Sequence, residues 1–179
     1  CAISQHLFRR AGLSLETAPD SMGALAITEN DHVGMVGYYK SLARRLNEKN
    51  INVTVLEKKE KFLARGDLLH ITLDAAELRP CNKIIVTASS LINNSMDAIL
   101  ASVNHAEAIV VLGPTAGFLP DPLFERGVTA VGGSDILDPA LAIERLRHQQ
   151  GLGESARKYL IRKEYYPGAK SLIQTILAG

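Results

Sequence analysis

The residues with which this chain could do chemistry gather in four turns. Gly34-Met35-Val36-Gly37 runs into Tyr38-Tyr39-Lys40, and Thr87 to Ser95 is rich in hydroxyls and carries Asn93 and Asn94. Gly113-Pro114-Thr115 and Gly133-Ser134-Asp135 complete the set. Glycine turns bring backbone amides close to a ligand, and hydroxyl and amide side chains hydrogen-bond oxyanions or polar small molecules. Gly37, Tyr38, Glu57, Thr87, Ser89, Ser90, Asn93, Asn94, Gly113, Pro114, Thr115, Ser134 and Asp135 are therefore the candidate ligand-binding residues, with Glu57, Asp135 and Lys40 as the charged candidates.

Catalytic templates find little here. There is no G-x-S-x-G elbow for a serine nucleophile and no H-E-x-x-H or paired-cysteine spacing for a transition metal. His70 has no second histidine or carboxylate at ligand spacing and reads as a packed or surface histidine. No residue is assigned a catalytic role, and binding is better supported than turnover.

The elements that must position these turns are legible. Val33–Val36, Asn52–Glu57, Lys83–Ala88, Ala108–Leu112 and Val128–Gly132 are short apolar runs without polar alternation, the pattern of strands buried on both faces of a parallel sheet. Helical periodicity separates them: Leu42, Ala43 and Leu46 mark one helix, and Ser95–Val103 another. A short one spans Pro120–Glu125, and Ala140–Arg147 follows Asp138 as N-cap with Pro139 in its first turn. Lys58–Arg79 is polar and charged at first, with a short helix at Ala75–Leu78, and the run Glu57 to Lys61 reads as a solvated face. The tail holds a charged helix-like piece, Arg157–Glu164, and an apolar finish at Leu172, Ile173, Ile176 and Leu177.

Strands alternating with helices predict an α/β fold, a Rossmann-like doubly wound parallel sheet of about five strands in the order 2-1-3-4-5 with helices on both faces. In that order the turns at Gly37–Lys40 and Thr87–Asn94 face each other at the switch point. Residues 31–150 form this domain. Residues 1–30 comprise a helix, Cys1–Ala11, left from a preceding small domain, and a connector; residues 151–179 form a helical extension packing on it.

Composition fits a single soluble domain. The chain has 179 residues, 46% of them apolar, and its 20 basic and 19 acidic residues leave a formal charge of +1. This balance steers it toward neither nucleic acid nor a membrane, and no run approaches the roughly 20 apolar residues of a membrane span. Cys1 and Cys81 read as ordinary thiols of a reduced compartment, so a cytoplasmic location is expected. A start at Cys1 rather than methionine points to a missing N-terminal part.

Together VGMVGYY, VTVLEK, IIVTASSLINNSMD and VVLGPTAGFLPDPLFERGVTAVGGSDILDP resemble an uncharacterised family, the "putative heavy-metal chelation" domain, over about Val33 to Leu146. The resemblance implies a Rossmann-like domain preceded by one similar to the N-terminal part of enolases, with a shared cleft. It also implies a role in binding a metal ion or a metal-bearing small molecule, with Gly37, Thr87, Ser89, Asn93, Gly113, Pro114 and Asp135 at cleft-lining positions. Carboxylate and hydroxyl oxygens would suit a hard cation.

Two other readings stay open. A strand, a glycine turn, a helix and a second strand ending at Glu57, 20 residues past Gly37, outline a nucleotide-binding half, although the full G-x-G-x-x-G fingerprint is absent. Gly37 as a generic tight turn and Glu57 as a solvated strand end are the readings that outweigh this one. Alternatively the chain is a non-catalytic subunit that meets a partner through its tail, and a homo-oligomer is the expected assembly.

Overall fold

The computed structural model describes residues 2–17 and 25–178; Cys1 and the connector residues Pro19, Asp20 and Gly23 lie outside them. The elements in chain order are α1 (Ala2–Arg10), β1 (Glu16–Thr17), β2 (His32–Val36), α2 (Lys40–Asn47), β3 (Asn52–Leu56), β4 (Ala64–Arg65), β5 (Leu69–Thr72) and β6 (Lys83–Thr87). Then follow α3 (Ser89–Ile92), α4 (Met96–Ser102), β7 (Ala108–Leu112), α5 (Asp121–Phe124), β8 (Ala130–Ile136), α6 (Pro139–Arg147), β9 (Ala156–Arg162) and α7 (Ala169–Ala178).

The expected order of parallel strands is present: β3-β2-β6-β7-β8 reads 2-1-3-4-5. A further strand, β5, pairs parallel to β3 through Val53–Leu56, so the parallel core has six strands, β5-β3-β2-β6-β7-β8. Numbered along the chain this is 3-2-1-4-5-6, the order of a dinucleotide-type doubly wound sheet. Among the described residues β4, β9 and β1 add antiparallel edges and bring the sheet to nine strands, where about five were expected.

The sheet is buried on both faces because the inner positions of its central strands are apolar, Thr54 of β3 being the one buried polar side chain among them. Val33 and Met35 of β2, Val53 and Val55 of β3 and Ile85 of β6 pack against Leu42, Ala43 and Leu46 of α2. On the other face Ile84 and Val86 of β6 and Ile109 and Val111 of β7 meet Met96, Ile99 and Leu100 of α4. Phe8 of α1, Leu123 of α5 and Leu172 of α7 continue that layer.

Two element readings are corrected. Arg157–Glu164 is not helix-like: Ala156–Arg162 is β9, antiparallel to β8 in continuous register from Ala130↔Arg162 to Ile136↔Ala156. Of its charged residues Arg157 and Lys158 are exposed and Arg162 is half-buried, while Tyr159, Leu160 and Ile161 are buried. Gly133-Ser134-Asp135 is not a turn either, but part of β8. Small residues extend the strand because β9 lies tight against it: a Cβ at Gly133 would sit 2.5 Å from the Tyr159 hydroxyl.

Helix termini follow their sequence signals. Asp138 caps α6, its Oδ1 accepting from Leu141 N at 3.0 Å, with Pro139 as the first residue. Gly12 follows α1 at φ +64°, the left-handed position glycine occupies without strain.

Candidate functional site

A cleft of about 590 Å³ opens at the carboxyl ends of β2, β3 and β6, where the strand order reverses. Val36 and Gly37 come from the end of β2. Leu56, Glu57, Lys58 and Lys59 come from the end of β3, and Leu73 and Ala75 from the segment after β5. Thr87, Ser90, Asn93, Ser95 and Ile99 come from the end of β6 and the start of its crossover. One wall is aliphatic, and the rest carries three hydroxyls, one amide, one carboxylate and two ammonium groups.

Glu57 ties the turns together. Its Oε2 accepts from Tyr38 N at 3.2 Å, and its Oε1 from Lys58 N at 2.8 Å and Lys59 N at 3.3 Å. A carboxylate has about four acceptor positions, so three amides hold this one rigidly and leave room for one more donor. Neither Lys58 nor Lys59 has a side-chain ion-pair partner among the described residues, both being exposed. The cleft therefore has an excess of positive charge.

The far rim is built by an Asn turn. Asn93 Oδ1 accepts from Ser95 N at 3.2 Å and Ser95 Oγ at 2.5 Å, which fixes the break between α3 and α4. Its amide nitrogen remains as a donor. Ser90 is buried at 1% exposure, and its carbonyl accepts from Ser95 N at 3.0 Å.

Tyr39 stands beside the cleft, outside its lining. Its hydroxyl donates to Leu112 O at 3.0 Å, at the end of β7, and also hydrogen-bonds the Thr87 side chain. The side chain thus spans the end of β6. Burial pushes its phenol upward, the Thr87 bond opposing this in part, so it stays protonated as a donor. Gly37 turns at φ +92°, where a Cβ would lie 3.2 Å from Thr87 Cγ2.

Of the sequence candidates, the structure brings Gly37, Glu57, Thr87, Ser90 and Asn93 together around one cleft, with Tyr38 bonded to Glu57 at its edge. Ser89 and Asn94 are exposed beside it, Asn94 at φ +56°. Gly113 packs next to Ala88, and Pro114 and Thr115 are exposed; none of the three lines the cleft. Ser134 and Asp135 are not brought to it. They lie where β8 has run past the end of β7 and pairs only with β9. Asp135 is buried there in ion pairs to Arg9 of α1 and, at 3.5 Å, to Arg157 of β9. Beside it burial, with the Asp135 charge adding to it, pushes the Tyr159 phenol up to about 12, although the Gln5 bond opposes the shift.

Sequence reasoning missed Lys58, Lys59, Leu73 and Ser95 as lining residues. The lysines looked like part of a solvated charge run, and Leu73 follows a strand whose polar His70 and Thr72 hid its pattern. Among the described residues no group of three or more His, Cys, Asp or Glu is placed to hold a metal ion. Cys81 is buried before β6, at the end of the sheet opposite the cleft.

Residues 20–164 match the family described as "Putative heavy-metal chelation". The chain belongs to this family. It is similar to an uncharacterized protein of Methanocaldococcus jannaschii, 23% identical over 152 residues that make up 82% of this chain and 55% of the relative. A crystal structure of a family member of unknown function from Pyrococcus horikoshii aligns with TM-score 0.64 and 27% identity, covering 76% of this chain and 57% of that one. Another family member of unknown function, from Desulfitobacterium hafniense, aligns with TM-score 0.60 and 20% identity, over 77% of this chain and 57% of that one. That likeness concerns the fold. The chain thus spans little more than half the length of these relatives. No helix among the described residues is long and apolar enough to cross a membrane.

Proposed function

We propose that this chain binds a small molecule in the cleft between the ends of β2, β3 and β6, and that any metal it carries arrives as part of that molecule. The observation that supports this reading is the convergence of three strand ends on a cleft of about 590 Å³, at the switch point where open α/β sheets bind ligands. The described residues supply donors and positive charge there rather than a set of metal ligands. With this lining, the family description suits a metal-bearing ligand better than a bare ion.

The test is native mass spectrometry with elemental analysis on the chain purified without chelators or a metal-affinity column. The expected result is a co-purified small molecule, with or without stoichiometric metal, that is lost in Asn93→Ala and retained in Ser134→Ala outside the cleft. Loss in Ser134→Ala and retention in Asn93→Ala would move the site away from the cleft.

A further inference from the structure

The cleft combines four features that together select one ligand chemistry, an inference that rests on the cleft being the binding site. An aliphatic wall of Leu56, Leu73 and Ile99 can take the face of a planar ring. Glu57, already fixed by backbone amides, keeps one acceptor position for a hydroxyl. Lys58 and Lys59 line the cleft, and among the described residues no carboxylate pairs with their ammonium groups. Ring, hydroxyl and phosphate are the parts of a nucleotide.

The fourth feature limits its size. In a dinucleotide site the pyrophosphate lies on free amides of the glycine turn, at the N-terminus of the helix that follows the first parallel strand. Here the three amides of the turn itself, Gly37 to Tyr39, are occupied. Gly37 N donates to Leu56 O at 2.9 Å, Tyr38 N to Glu57 and Tyr39 N to Gly37 O at 3.1 Å. The Tyr39 side chain, anchored on Leu112 O, stands at the start of α2 and spans the end of β6, over which a second nucleotide would extend.

We infer that the cleft takes a mononucleotide, with its base on the Leu56–Leu73 wall, a ribose hydroxyl on Glu57 and its phosphate on Lys58 and Lys59, and that Tyr39 excludes dinucleotides. The phosphate is held by side-chain ammonium groups instead of a backbone cradle. Binding therefore falls as salt rises, because exposed charges are screened.

The experiment is calorimetric titration of the chain with AMP, GMP, CMP and UMP, and with NAD and inorganic phosphate as controls. At least one mononucleotide is expected to bind at least about tenfold more tightly than NAD or inorganic phosphate. Lys58→Gln with Lys59→Gln should weaken it about tenfold or more with an unchanged Tm. Tyr39→Ala should narrow the preference over NAD, and Tyr39→Phe, which keeps the ring, should preserve it. NAD binding on a par with the best mononucleotide, or affinity unchanged in the lysine double variant, would overturn the inference. So would the absence of binding by all four mononucleotides. If that absence came with a co-purified ligand lost in Asn93→Ala, the ligand class would fail while the cleft stood; with no such ligand, both would fail.

Discussion

Glu57 shows how one residue can be read correctly for position and incompletely for role. Its place at a strand end made it visible in sequence, but the three amides it accepts could not be seen because they come from turns whose geometry depends on β2 and β3 pairing. Glu57→Ala leaves those donors without their acceptor and should destabilise the chain by about 1 kcal/mol, measured by urea unfolding, since water can reach part of the site. Cys81 belongs to the opposite end of the sheet, where burial pushes its thiol up to about 11, a Thr54 hydrogen bond opposing this in part. At pH 8 the native thiol should react with a disulfide reagent far more slowly than the urea-unfolded one, because it is buried from the reagent and burial disfavours the attacking thiolate. The linked effect has a definite sign: the unfolded thiol deprotonates first, so stability falls as pH rises through the unfolded value of 9.0 toward about 11. Asp31 behaves oppositely. Burial works to raise its carboxyl, but hydrogen bonds from Thr28 and Asn82 outweigh this and hold it below 3.8. Its contribution is present above pH 3.8 and is lost as acid takes the pH down through the folded value, so Asp31→Asn should flatten the acid limb of an unfolding curve.

At the scale of elements, what could be read depended on how each strand is buried. The five apolar runs were legible because a strand covered on both faces has no need of polar alternation. β5 escaped because Leu69-His70-Ile71-Thr72 is near the sheet's flank and keeps polar residues partly exposed. β9 escaped because its first half is charged and only its second half is buried. The length of β8 was hidden by glycines that normally break strands; here Gly132 and Gly133 make room for Leu112, Leu160 and Tyr159. Gly133→Ala would force the Tyr159 ring to move, with an expected loss of about 1–3 kcal/mol in thermal or urea unfolding. Gly127→Ala, at a site open around its Cβ but at φ +89°, tests backbone strain alone and should cost about 1 kcal/mol. The cleft lining followed this only in part: Leu73, at the end of the hidden strand, went unread, and so did Lys58 and Lys59 after the legible β3, because their charges read as a solvated face.

For the molecule as a whole, the segments flanking the parallel core belong to the same hydrogen-bonded sheet. β9 pairs along all of β8, and β1, from before the core, pairs with β9 through Glu16↔Leu160 and Thr17↔Tyr159. Phe8 of α1 and Leu172 of α7 are buried in the layer that also holds Val111 and Val131. Heat or urea should therefore give one cooperative transition, with far-ultraviolet circular dichroism and tyrosine fluorescence coinciding; a separate early phase in tyrosine signal would mean that the flanks unfold alone. The same sheet ends on very short strands at both flanks: β1 and β4 have two residues each, and all four are exposed. Of the residues of β9 that β1 leaves uncovered, Arg157 and Lys158 are exposed charges. A strand edge recruits another only when it offers a run of unpaired amides without charge in the way. Among the described residues the sheet thus offers no adhesive border through which copies could stack into fibrils, and the tendency to aggregate should appear when Arg157 and Lys158 are both replaced by valine.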